Sequence, residues 1–127
     1  MFNLKNFRIL ILMLLCLSLL TACGADHKYV TLVKKGTMDM APTIKIGAAF
    51  DDFFLNPEWK YFKSKSGMEI VEFNGECTWY NKPANCTIQF IIIDEDSFEL
   101  GAVSLDGINM TENEGAAILK KALTGMD

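Results

Sequence analysis

Histidine occurs once in this 127-residue chain, and that scarcity removes most of the familiar enzyme chemistry. His27 stands in a short polar segment with no nucleophile beside it, so neither a Ser–His nor a Cys–His arrangement is supported, and a solvated residue is the expected role. A G-x-S-x-G elbow is lacking, as is a glycine loop that would cradle phosphate. Cys77 and Cys86 are wrongly spaced for a thioredoxin-type redox pair and have too few partners for a zinc site. Basic charge is also short. Twelve Lys and Arg face sixteen Asp and Glu, a net charge of −4, whereas nucleic-acid binding calls for a basic stripe. The carboxylates fall at outward strand positions or in turns. The adjacent Asp51 and Asp52 lie about 100° apart on a helix and do not converge, although Glu72 meeting Asp94 or Glu95 in space stays open. The expectation is a non-enzymatic protein with no catalytic residue, no metal and no cofactor.

What the chain does carry is an address. Lys5 and Arg8 precede an apolar run, Ile9 to Leu20, broken only by Ser18. A charged start, a short apolar core and small residues before a cleavage point make a secretory signal. The run falls short of the roughly 20 apolar residues that span a bilayer comfortably. Leu20-Thr21-Ala22-Cys23 resembles the lipobox of bacterial lipoproteins. The resemblance implies cleavage before Cys23, a diacylglycerol thioether on its sulfur and acylation of its freed amine. Acyl burial is worth about 0.8 kcal/mol per methylene, and two or more chains hold a protein stably on a membrane. Residues 1–22 are thus expected to be the signal peptide, 23–28 a lipidated tether, and 29–127 a single domain. The anchor would hold that domain on the cell membrane or outer membrane, facing the periplasm or the exterior. By the same resemblance, Gly24 rather than Asp favours the outer membrane where the cell has one.

Loss of residues 1–22 leaves about 105 residues and takes Lys5 and Arg8 with it, so ten basic side chains then oppose sixteen acidic ones, a charge of −6. Length fits one domain with a modest core. Acidity argues against attraction to nucleic acid or anionic lipid and in favour of solubility. Tyr29 to Val33 is β-prone and reads as a first strand, with Lys34-Lys35-Gly36 as a turn. Between Gly47 and Leu55 a short helix is predicted, because Ile46, Ala49, Phe50 and Phe53 share one face; Asn56-Pro57 stops it. Strands follow at Trp59–Lys65, Met68–Trp79, Cys86–Ile93 and Ser97–Leu105, with Gly101 a bulge position and Asp106-Gly107 a turn. Thr111 to Glu114 forms a capping box before a final helix over 111–124, with Ile118, Leu119, Ala122 and Leu123 on its apolar face and Gly125 as C-cap. The fold class is α+β: an antiparallel meander of about four strands, one short helix before it and a C-terminal helix packed on a face.

Alternation orients the central strands. Val71, Phe73, Gly75, Cys77 and Trp79 share one face with Cys86, Ile88, Phe90 and Ile92. In an oxidising compartment Cys77 and Cys86 are expected to form a disulfide. If they lie directly opposite each other, paired positions sum to 163, so Phe73 faces Phe90 and Val71 faces Ile92. A slip by one residue would turn the pattern inside out. An eight-residue bridge would stabilise by about 2–3 kcal/mol. The aromatics Phe50, Phe53, Phe54, Trp59, Phe62, Phe73, Trp79 and Phe90 read as core, with a ligand pocket as the rival. Ile91 and Ile93 point the other way, an odd place for isoleucine. Either another element, such as Tyr29–Val33 or a helix, covers them within the monomer, or a partner does, with Val103 or Leu105 joining the patch.

Thr43-Ile44-Lys45-Ile46-Gly47-Ala48-Ala49-Phe50-Asp51, Phe53-Phe54, Asn56-Pro57-x-Trp59, Val71-Glu72-Phe73-x-Gly75 and Ile88-Gln89-Phe90 together look like a recurrent pattern in small exported bacterial proteins of unassigned function. The resemblance spans about half of the mature chain and implies no activity. Two functional expectations follow from the whole. One is an accessory envelope lipoprotein that docks a protein partner. The other is a small binding module, either an inhibitor of an envelope or host enzyme such as a lysozyme or a carrier of an apolar ligand.

Overall fold

Two apolar periodicities, one helical and one alternating, meet across a single core in the computed structural model, which describes residues 26–125. Cys23 and the lipobox lie outside the described residues. The first element corrects the sequence reading. Tyr29–Val33 is not a strand but part of α1 (Lys28–Lys35). Tyr29, Val30 and Val33 are its buried residues, the i, i+1, i+4 spacing of a helix stripe. β-Branched residues lose only a few tenths of a kcal/mol in a helix, about 0.7 at most, and burying three side chains on one side outweighs that. His27 is the N-cap, its Nδ1 accepting from the Tyr29 amide at 3.2 Å, and Lys34 and Lys35 complement the helix C-terminus. Asp26, the first described residue, pairs through its carboxylate with Lys34 Nζ at 2.8 Å.

Helix α2 (Ile46–Phe53) follows, close to the expected 47–55, with Ile46 and Phe50 fully buried. Gly47 lets it approach α1: a Cβ there would lie 2.7 Å from Lys34 Cβ. Five strands then form an open antiparallel meander in the order β1-β2-β3-β4-β5. They are β1 (Leu55–Lys63), β2 (Glu69–Trp79), β3 (Lys82–Asp94), β4 (Ser97–Leu105) and β5 (Ile108–Asn109). Pro57 sits on edge strand β1, where its missing N–H costs no ladder bond, beside a bulge between Leu55 and Glu58. A second bulge falls at Gly101–Ala102, where Ile88 pairs with Val103 but Phe90 pairs with Leu100. The short β5 is an addition to the expected four strands. It follows from the left-handed pair Asp106 (φ 50°) and Gly107 (φ 81°), which turns the chain back so that Leu105 faces Ile108. Helix α3 (Glu112–Thr124) starts at Thr111, whose hydroxyl accepts from the Glu114 amide at 3.3 Å and donates to the Glu114 carboxylate at 2.8 Å. Gly125, at φ 70°, closes it.

The β2–β3 register is the second correction. Phe73 faces Ile88, Val71 faces Phe90 and Gly75 faces Cys86, so paired positions sum to 161, not 163. The expected faces survive because a shift of two residues preserves side-chain parity. A two-residue turn, Tyr80 (φ 49°) and Asn81 (φ 63°), sets the offset. Outward pairing also favours it: Glu72 meets Gln89 and Asn74 meets Thr87, where the other register would set Glu72 against Ile91. Cys77 now faces Ala84, and the two cysteines are diagonal neighbours on one face, both buried and unbridged. Diagonal Cα atoms lie about 7–8 Å apart, beyond the usual disulfide span.

All three helices cover the face carrying Val71, Phe73, Ile88 and Phe90. Phe50 is the centre of that layer, its ring 5.0–6.3 Å from Phe73, Phe54, Trp59 and Phe90. Phe50, Phe54, Trp59, Phe73 and Phe90 are therefore packed together against the core rather than lining an apolar pocket, whereas Phe62 lies on the outer face of the sheet. Trp59 completes its own satisfaction by donating from Nε1 to Asp51 at 3.1 Å.

Candidate functional site

The outer face of the sheet carries no helix among the described residues. Its side chains separate into a polar half and an apolar half along the strands. In the polar half, Glu72 Oε1 accepts from Gln89 at 2.9 Å and Oε2 accepts from Lys60 at 2.9 Å and Asn74 at 3.2 Å. Thr87 donates to Asn74 Oδ1 at 2.6 Å. Burial raises the Glu72 pKa, but the donors Gln89, Lys60 and Asn74, with the Lys60 charge, outweigh it and hold the carboxyl below its usual range. Glu72 thus meets neither Asp94 nor Glu95. It is a well-satisfied surface carboxylate with the wrong environment for a general acid.

The apolar half is a cross-strand row. Register places Phe62 opposite Ile70 and Ile70 opposite Ile91, with Glu99 beyond. Ile70 is only 5% exposed, yet it stands outside the helix-covered core cluster. It is buried on the outer face, flanked by half-buried Phe62 and Ile91. Ile93, two residues on, is 56% exposed. The uncovered alternative for the Ile91–Ile93 patch therefore holds for Ile93, whereas Ile91 is half-buried. Val103 and Leu105 do not join the patch: they pair with Ile88 and Cys86 over the core face. Phe62 and Ile70 belong to it instead. The alternation of β2, carried back beyond Val71, puts Ile70 on this face, whereas Phe62 is placed there only by the β1–β2 register. Acidic residues border the strip, with Glu99 at its end and Asp94, Glu95 and Asp96 exposed in the turn after Ile93. Lys28, at the start of α1, reaches Glu95 at 4.0 Å, so the strip lies at the end of the domain where the N-terminal segment enters.

The cysteines offer no reactive chemistry. Burial pushes the Cys86 thiol up to about 12, with Cys77 adding to it. Burial and the Asp106 charge also raise Cys77, against an opposing effect of Lys121. Neither is a thiolate at neutral pH. His27 is less isolated than its sequence context suggests: its ring stacks on Tyr61 at 3.7 Å, a structural role at the entry to α1. Among the described residues no group of His, Cys, Asp and Glu is placed to hold a metal ion, and no helix is long and apolar enough to cross a membrane. No family model, curated protein or solved structure matches this chain.

Proposed function

We propose that this protein is a lipid-anchored bacterial envelope lipoprotein, held through acyl chains on Cys23, that acts without catalysis as a docking module for a membrane-held protein. The observation that carries this reading is the cross-strand row Phe62–Ile70–Ile91 with exposed Ile93 two residues along β3, an apolar strip on the sheet face opposite all three helices. Its position supports a membrane-held partner. Only Gly24 and Ala25 separate Cys23 from Asp26, which already pairs with the domain, so the anchor lies within about 10 Å of the fold at full extension. The Lys28–Glu95 contact sets the strip at that same end. The exposed carboxylates at its Ile93 end, Asp94, Glu95, Asp96 and Glu99, favour a partner that brings Lys or Arg to that edge, and disfavour anionic lipid there.

Affinity purification from detergent-solubilised envelope tests the reading. Ile93→Asp should lose a membrane-protein partner that the unaltered chain retains. Burying the exposed half of Ile93 contributes about 1–1.5 kcal/mol, roughly tenfold in Kd, before the charge penalty is added. Retention of the same partner by Ile93→Asp would refute the docking surface. Capture of a soluble hydrolase instead would place the protein among enzyme inhibitors. Cys23→Ser should leave unprocessed, unlipidated precursor, and a lipidated product of that variant would refute the anchor.

A further inference from the structure

The opposite end of β2 carries a second feature that the docking surface does not use. The β2–β3 turn places Tyr80 and Asn81 at left-handed φ values of 49° and 63°. Asn tolerates that region, but a bulky aromatic residue there is a backbone outlier. The fold recovers little from the Tyr80 ring. It is 82% exposed, and its one ring neighbour among the described residues is Trp79, at 5.3 Å in an edge arrangement. A costly backbone thus holds an aromatic pair out at the hairpin tip.

Beside that pair lies a cleft of about 610 Å³, between the hairpin tip and α3. This size is ordinary for small-ligand sites. Ala117, Lys120 and Lys121 of α3 form its other wall, and Thr78 and Asn81 add polar groups on the hairpin side. Ala117 leaves room between the rings and the helix. The lining holds two lysines and no carboxylate, in a chain whose net charge is −4. Lys120 thus gives the α3 wall a positive charge, opposite in sign to that of the whole molecule, and favours an anion. Aromatic faces beside hydroxyl and amide groups suit a ring with apolar C–H faces and polar edges.

We infer that this cleft binds an anionic saccharide, with a sugar ring against Trp79 and Tyr80 and its carboxylate or phosphate at Lys120. Asn81 and Thr78 are placed for its hydroxyls. Binding is non-covalent and requires no cofactor. The site is independent of the Phe62–Ile93 strip and stands whether or not that strip docks a partner.

The chain has two tryptophans, and Trp59 packs half-buried against Phe50 and Phe73 and does not line the cleft, so a ligand-dependent change in emission reports Trp79. The full chain, purified in detergent, is titrated at low salt with trigalacturonate, with its neutral trimethyl ester and with glucose 6-phosphate. Saturable emission change with trigalacturonate or the phosphate is expected, and which of them saturates identifies the anion. The ester should bind at least tenfold more weakly than trigalacturonate. Lys120→Ala should weaken anion binding at least tenfold, and Tyr80→Gly, which relieves the left-handed strain and so preserves folding, should weaken it comparably. No saturable change with either anion, equal binding of the ester, or unaltered binding by both variants would overturn the inference.

Discussion

Gly75→Ala adds one methyl group, and the structure turns the usual sign of that change around. In a strand, alanine is ordinarily preferred over glycine by about 0.5–1 kcal/mol. At position 75 the new Cβ would lie 2.6 Å from Phe54 Cβ, 2.8 Å from Phe73 Cζ and 3.0 Å from Phe54 Cγ. Comfortable carbon–carbon contact is about 3.5–4.0 Å. Neither ring has space to yield. Phe54 and Phe73 are 2% and 0% exposed, and Phe73 is wedged 4.9 Å from both Phe54 and Trp59 and 5.0 Å from Phe50. Overpacking of this kind costs about 1–3 kcal/mol or more. A net loss of about 2 kcal/mol is expected, equivalent to a Tm lowered by about 8–16 °C for a domain of this size. Urea unfolding followed by tryptophan emission and far-UV circular dichroism measures it, and an unchanged m-value would locate the effect in the native state. Phe73→Leu in the Gly75→Ala background removes the Cζ atom at 2.8 Å and should recover part of the loss, a favourable coupling that distant sites do not show. If Gly75→Ala is as stable as the parent or more so, the packing of β2 against the end of α2 is refuted.

Three further outcomes are expected. Phe50→Ala removes the ring at the centre of the aromatic layer and should cost about 3–5 kcal/mol, with loss of near-UV circular dichroism at temperatures where the parent is folded. Glu72 has a folded-state pKa below its unfolded value, so its contribution to stability is fully present above about pH 5 and is lost as pH falls through the folded pKa. Urea midpoints measured between about pH 6 and 3 should therefore fall less steeply for Glu72→Gln than for the parent. In the observed register Cys77 and Cys86 are diagonal and unbridged, so the mature protein, unfolded without reductant, should show two thiols to a thiol reagent and none while folded; a mass two hydrogens lower would refute this.

Much of the domain was legible in one dimension. Ile46 and Phe50 recur at helical spacing, Thr111 and Glu114 bracket a helix start, Asp106-Gly107 has few conformations other than a turn, and the alternation from Val71 to Trp79 assigns each side chain to a face. These signals are local: each is settled by backbone geometry within a turn or by which residues water excludes. The site was only half legible. Ile91 and Ile93 stood out as misplaced isoleucines, but Ile70 and Phe62, which complete the row, come from strands whose neighbours a linear pattern does not name.

The sequence by itself determined the faces, the final helix and the turn before β5. Tertiary structure decided the rest. Alternation has a period of two, so it cannot distinguish pairing sums of 161 and 163; the left-handed Tyr80–Asn81 turn and the outward Glu72–Gln89 pairing do. Val30 and Val33 have strand-like propensity, yet a one-sided core beneath α1 rewards the helical stripe they form with Tyr29. Whether Ile93 is wet depends on which face the helices choose, and that choice is made by the whole apolar layer around Phe50, not by any residue near position 93.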